Sequence, residues 1–197
     1  MDHPRKLGLN NIYRELAEDP AFDHIRSHDP PKHLVPGRGS LHPQVILIGE
    51  APGAAENLHR QPFCGPAGRV LDQMLEHVGL LRTEVFITNA LKYRPTIGTM
   101  RVKNRTPTPA EINAARPYLM RELSVFGTIP AVLLGRTPLH MLRGVPTPMR
   151  LVSGREVECH DADRRLGVVY HPAVAVYEPA MLATLKRHMA SVMQRLL

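Results

Sequence analysis

The sequence predicts an α/β protein: a three-layer α/β/α sandwich on a central, mostly parallel four-stranded sheet, folded as a single domain over residues 1–197. Three observations carry this expectation. Four short apolar runs, VILI at 45–48, VFITN at 85–89, AVLLG at 131–135 and VVY at 168–170, read as strands buried on both faces. Stretches with apolar residues at helical spacing separate and follow them, the alternation expected of a parallel sheet covered by helices. A hydrophobic content of 43% over 197 residues is enough for one substantial core.

Taken in order, residues 10–18 predict a short helix with Ile12, Tyr13 and Leu16 inward, closed by Pro20. Residues 28–43 (HDPPKHLVPGRGSLHP) form an irregular lead-in. His24, His28 and His33 match no familiar metal-ligand spacing and read as solvated or capping groups. The first strand stops at Gly49, where Pro52 and Gly53 punctuate a turn that carries Glu50. A loop over 54–67 follows, its Phe63 flanked by prolines and glycine like the wall of a pocket. Residues 68–78 predict the crossover helix, with Val70, Leu71, Met74, Leu75 and Val78 on one face and Gly79 as its cap.

The second strand ends on Asn89 and opens into a long basic loop, 91–108. Thr108, Pro109 and Glu111 form a capping box with proline at the first helical position. The helix they start has Ile112, Ala115, Leu119, Leu123 and Phe126 along one stripe, a packing signal only. After the third strand, Thr137 and Pro138 begin a short helix through Arg143, and a hairpin is expected around Ser153 and Gly154. The last strand ends in His171, Pro172 and Ala173. Residues 181–197 form the closing amphipathic helix, with Leu182, Leu185, Met189, Val192 and Leu196 inward.

Charge and cysteine usage narrow the classes. Lys plus Arg number 25 against 18 Asp plus Glu, a net charge of +7 that suits a polyanionic partner such as nucleic acid. Cys64 and Cys159 are too few for a disulfide framework or a four-cysteine metal site. The basic N-terminus is not followed by an apolar signal-peptide core, and no run is long enough to span a bilayer. The expectation is a cytoplasmic protein with no membrane partner, acting as a monomer.

In open α/β sheets, ligands gather at the carboxyl ends of the strands. Three of the four strands end in a side chain able to hydrogen-bond or move a proton: Glu50, Asn89 and His171. Singly, each has a bland reading: a solvated turn carboxylate, a turn former, a histidine satisfied by backbone. Parallel strands would put all three on one rim, and that convergence marks the candidate site.

GEAPG (49–53), PFCGPAG (62–68), VFITNALKYRP (85–95), NRTPTPAEI (104–112), LLG (133–135) and YHPA (170–173) occur in the order and spacing of the uracil-DNA glycosylase superfamily. The chain most resembles the iron–sulfur branch called family four. That resemblance implies hydrolysis of the N-glycosidic bond of uracil flipped out of single- or double-stranded DNA. Carried over by position, Glu50 would orient or deprotonate the attacking water. Asn89 would pair with the O4 and N3–H edge of uracil, and His171 would hydrogen-bond O2. Phe63 would stack on the base, while Gly49, Ala51, Pro52 and Gly53 would line its pocket. Backbone N–H groups around Ala51 to Gly53 and Gly65 to Gly68 would line the pocket and approach phosphate, and the basic side chains Lys92, Arg94 and Arg105 with Arg101 and Lys103, and the apolar segment Val174 to Tyr177, would contact DNA.

The chain departs from the branch in its cysteines. Family-four members ligate a four-iron, four-sulfur cluster, but here the KCRP position is Tyr93, the later helix position is Ala115, and the N-terminal region has no cysteine. No cluster, metal or organic cofactor is therefore expected. The acidic run after GEAPG is thinned to Ala54, Ala55, Glu56 and Asn57, and HPA stands for HPS. Two rival readings stay open: a glycosylase for another base, such as hypoxanthine, xanthine or a modified pyrimidine, and a lesion-binding member with weakened catalysis.

Overall fold

The computed structural model describes residues 3–26, 32–98, 101–145, 147–158 and 164–197. Its sheet is built from β1 (Arg38–Gly39), β2 (Val45–Gly49), β3 (Val85–Asn89), β6 (Ala131–Leu134), β7 (Arg155–Val157) and β8 (Leu166–Val169), in the spatial order β1-β3-β2-β6-β8-β7. The four predicted strands are its parallel centre: β3 beside β2, β2 beside β6, β6 beside β8. The expectation of four strands is corrected to six among the described residues, because β1 and β7 add antiparallel edges. Neither edge was visible in the pattern. With two and three mostly exposed residues, they carry no run of apolar side chains to read.

Successive residues of a strand point to opposite faces, and the core divides accordingly. Ile46, Ile48, Phe86, Leu133 and Val168 face one layer, made by α1 (Pro4–Glu18), α5 (Pro109–Ser124) and α6 (Arg136–Arg143). Val45, Leu47, Val85, Ile87, Val132, Leu134 and Val169 face the other, made by α4 (Pro66–His77) and α9 (Met181–Leu196). Both faces of the central strands are covered, which gives the three layers.

Several boundaries differ from expectation. α1 begins at Pro4 rather than residue 10, because His3 caps it through a bond from the Arg5 N–H at 3.2 Å and proline occupies its first position. The stretch 54–67, expected to be all loop, contains α3 (Ala54–His59), and α4 starts two residues before Gly68. The basic loop after Asn89 holds a small hairpin of β4 (Thr96–Ile97) and β5 (Lys103–Asn104). Ser153 and Gly154 do not form a hairpin turn. They connect α7 (Met149–Val152) to β7, and it is β7 and β8 that pair antiparallel. The short α2 (Asp23–Arg26) and α8 (Val174–Tyr177) complete the helices used below. No helix among the described residues is long and apolar enough to cross a membrane.

Candidate active site

The parallel register brings the strand ends together. Gly49 lies opposite Asn89 in the β2–β3 pairing. The ladder continues past the strands, through the Ala90 N–H to the Gly49 carbonyl at 2.8 Å and the Leu91 N–H to the Glu50 carbonyl at 3.0 Å. On the other side of β2, the Gly135 N–H donates to the Val169 carbonyl at 2.9 Å, which ties the end of β6 to the segment entering His171. Glu50, Asn89 and His171 thus line one cleft of about 590 Å³, together with Ala51, Pro52, Gly53 and Phe63. That volume falls in the range of small-molecule sites.

Gly49 is needed beneath this cleft for space. A Cβ there would lie 2.4 Å from Asn89 Oδ1 and 2.6 Å from the Phe63 ring, displacing both. Asn89 is buried, and among the described residues no protein group takes up its carboxamide, which stays available to a ligand. Phe63 adopts φ of +51°, a left-handed conformation unusual for an aromatic residue. Arg82 holds that strained turn by donating from Nη2 to the Phe63 carbonyl at 2.7 Å and the Gly68 carbonyl at 3.3 Å. The Phe63 ring stacks on His171, with centroids 5.7 Å apart and planes 28° apart.

The Ala173 N–H donates to His171 Nδ1 at 3.1 Å, so Nδ1 is the acceptor and Nε2 carries the proton. Burial of the ring lowers the His171 pKa to about 4, so at neutral pH it is an uncharged N–H donor. Glu50 accepts a hydrogen bond from the Thr137 hydroxyl at 2.5 Å.

Pattern reading attached no role to Glu56. Its carboxylate accepts from the Gly53 N–H at 3.1 Å and the Gly65 N–H at 2.9 Å, the residues that cap α3 and α4. One side chain therefore staples two helix starts, where positive backbone ends favour an anion. The sequence signal is a carboxylate three residues after Gly53, in a helix of six residues too short to show periodicity.

The same staple corrects the expectation that backbone N–H groups at Gly53, Gly65 and Gly68 meet phosphate. The first two serve Glu56, and the Gly68 N–H donates to the Gly65 carbonyl at 2.9 Å. Gly68 is required for packing, since a Cβ would lie 1.9 Å from the Phe63 carbonyl oxygen.

Lys92 is a second correction. It is a core residue, 4% exposed, and its Nζ donates to Glu122 Oε2 at 2.6 Å, Thr88 Oγ1 at 2.8 Å and the Asn89 carbonyl at 2.5 Å. Burial pushes its pKa down against the pull of Glu122. Tyr13 also donates to Glu122, and its oxygen accepts from the Gly37 N–H at 2.8 Å. This ammonium cannot reach a phosphate.

Arg105 lines the cleft, but its guanidinium grips Glu111 by two bonds of 2.6 and 2.7 Å. Against the upward push of burial, the bonds from Arg105, the Thr108 N–H and His24 hold the Glu111 pKa at about 2. The capping box is present as expected, and Arg105 is bound into it. Arg94 donates to Asn104 Oδ1 at 2.7 Å, and Arg101 and Lys103 are exposed.

Val174 is likewise corrected: it is half-buried and packs against the core with Ala175, whereas the exposed apolar residues of α8 are Val176 and Tyr177, the latter 88% exposed. Both line the cleft mouth. His24 pairs with Glu111 at 3.3 Å and His33 Nδ1 lies 3.1 Å from Arg60 Nη2, while His28 and Cys159 fall outside the described residues.

The residues present do not fit the iron–sulfur group that the family-four resemblance implies. Tyr93 and Ala115 share an apolar cluster with Phe22 and Ile25, and the Tyr93 ring sits 5.7 Å from that of Phe22. These are packing groups in place of thiolates, and the N-terminal segment is docked through them.

A family profile described as the uracil DNA glycosylase superfamily matches residues 36–197. The type-4 uracil-DNA glycosylase of Archaeoglobus fulgidus is 34% identical over 179 residues, covering 88% of this chain and 85% of its own length. The enzyme of that name from Pyrobaculum aerophilum is 32% identical over 171 residues, covering 81% of each chain. A third, from Sulfurisphaera tokodaii, is 35% identical over 157 residues, 75% of this chain and 67% of its own.

Proposed function

The chain belongs to the uracil-DNA glycosylase superfamily, and we propose that it is a monofunctional glycosylase that hydrolyses the N-glycosidic bond of uracil flipped out of DNA. The observation that carries this reading is the convergence of Glu50, Asn89, Phe63 and His171 on one cleft at the carboxyl ends of parallel strands.

Uracil enters with one face on Phe63. With Nδ2–H toward O4 and Oδ1 toward N3–H, the Asn89 carboxamide matches uracil; cytosine presents the opposite order and requires the amide to be flipped. As the glycosidic bond lengthens, negative charge grows on the base and positive charge on the sugar. The neutral His171 Nε2–H donates to O2 and holds the first, a preorganised donor on a buried ring. The Glu50 carboxylate offsets the second and accepts a proton from the water that adds to the anomeric carbon. No residue forms a covalent bond to the sugar.

Arg94 and Lys103, next in the chain to the cleft residues Pro95 and Asn104, and the exposed Arg101 suit contacts to phosphate, and Val176 with Tyr177 suits insertion into the stack left by the base. All of these groups come from one chain, so a monomer suffices, and a DNA substrate puts its work inside the cell.

Release of free base from single- and double-stranded oligonucleotides carrying uracil, hypoxanthine or xanthine tests the proposal. Uracil should be released, and Glu50→Gln and His171→Ala should each lower the rate by about 10²-fold or more. Release of another base without uracil would reassign the substrate. Equal DNA affinity in wild type and Glu50→Gln, with no base released by either, would make the protein a lesion binder.

A further inference from the structure

We infer that Thr137 is a positioning residue for the hydrolytic step, fixing the Glu50 carboxylate through a hydrogen bond from its hydroxyl. The inference rests on the reading of Glu50 as the group that handles water. Three of the four central strands deliver their site residue at the strand end or within two residues of it: Asn89 closes β3, Glu50 follows β2, and His171 lies two residues past β8. β6 ends at Leu134 and is followed by Gly135, at φ of +100°, where the chain turns into α6. A side chain at 135 would crowd His171, since a Cβ would sit 3.1 Å from the His171 Cβ. The fourth strand therefore contributes from the first turn of α6, three residues past its end, through Thr137.

The Thr137 side chain is buried, 5% exposed, and its Oγ1 lies 2.5 Å from Glu50 Oε2. That is the separation of a charge-assisted bond from hydroxyl to carboxylate. A hydroxyl has one proton to give, so it engages one carboxylate oxygen and leaves the other for water. The torsion that orients a glutamate carboxylate is intrinsically broad. Left to itself, Glu50 would sample many planes above the cleft, and the bond from Thr137 selects one. The donor is itself restrained, because Thr137 is β-branched and belongs to α6, which packs on both β6 and β2. A productive attack needs the acceptor placed within a few tenths of an ångström, so the contribution is one of orientation rather than of added charge.

The test compares Thr137→Val, Thr137→Ser, Glu50→Gln and the Glu50→Gln/Thr137→Val double variant, in single-turnover release of uracil from a uracil-containing single-stranded oligonucleotide. DNA affinity and thermal midpoint are measured on the same samples. Thr137→Val keeps the shape and removes the hydroxyl; its rate should fall about 10-fold or more, with DNA affinity and melting unchanged. Thr137→Ser should recover most of the rate, and Thr137→Val should cause no further loss when Glu50 is already Gln.

A wild-type rate in Thr137→Val beside a crippled Glu50→Gln would overturn the positioning role and leave the reading of Glu50 standing. Failure of serine to rescue, or a full additional loss in the double variant, would also overturn it. An unimpaired Glu50→Gln would remove the premise itself.

Discussion

The donor role proposed for His171 at neutral pH can be filled by a charged or an uncharged ring, and burial favours the uncharged one. Its pKa of about 4 against an ordinary 6.5 means that the unfolded chain binds the proton more tightly than the folded one. The folded state is therefore favoured fully above pH 6.5 and loses that contribution as pH falls toward 4, by up to about 3 kcal/mol for this group. Denaturant unfolding across that window should show a steeper acid loss in wild type than in His171→Asn. An equal slope in the two would mean that the imidazole is hydrated in the folded protein. The same uncharged state suits the proposed role, since a donor that needs no deprotonation works across the neutral range without changing form.

At the scale of elements, the cleft depends on where two helices begin. α3 and α4 start at Gly53 and Gly65, on either side of the strained turn that presents Phe63, and the Glu56 carboxylate joins both starts. Removing it in Glu56→Ala should strand two backbone donors at once. The cost expected in denaturant unfolding is about 1–3 kcal/mol, accompanied by weaker binding of uracil-containing DNA as Phe63 loses its support. Glu56→Gln, which retains one acceptor oxygen, should fall between the two. A stability equal to wild type in Glu56→Ala would show that water replaces the staple without loss.

For the whole molecule, the buried network of Lys92, Glu122, Thr88 and Tyr13 connects three regions distant in sequence. α1 supplies Tyr13, β3 and its exit supply Thr88 and Lys92, and α5 supplies Glu122. The Lys92 ammonium also grips the carbonyl of Asn89, so the strand end that carries this residue to the cleft is anchored to the core beneath it. Gly37 admits the lead-in segment to the same place, where a Cβ would lie 2.5 Å from the Phe86 ring and 2.7 Å from Glu122 Oε1. Lys92→Met would leave the Glu122 carboxylate buried and unpaired, at an expected cost of about 3–5 kcal/mol. Changing both partners to apolar residues should recover most of that loss in denaturant unfolding. Failure to recover it would mean that the hydrogen bonds of the network to the Asn89 carbonyl and the Tyr13 and Thr88 hydroxyls, rather than the ion pair, carry the stabilisation.

The sequence by itself determined the layer order, the four central strands and the trio Glu50, Asn89 and His171. Each of these rests on local pattern: apolar runs that suit only a doubly covered strand, helical spacing between them, and polar residues where parallel strands must end together. The edge strands, α3 and the shifted hairpin escaped because two to six residues carry too little periodicity to read. The tertiary structure alone decided what the charged and hydroxyl groups do. Lys92 and Arg105 looked like phosphate contacts because composition shows a charge but not its partner. Lys92 meets Glu122 from 30 positions away, and Thr137 meets Glu50 across 87. A side chain's role follows from the nearest complementary group in space, and only the folded chain brings that group within reach.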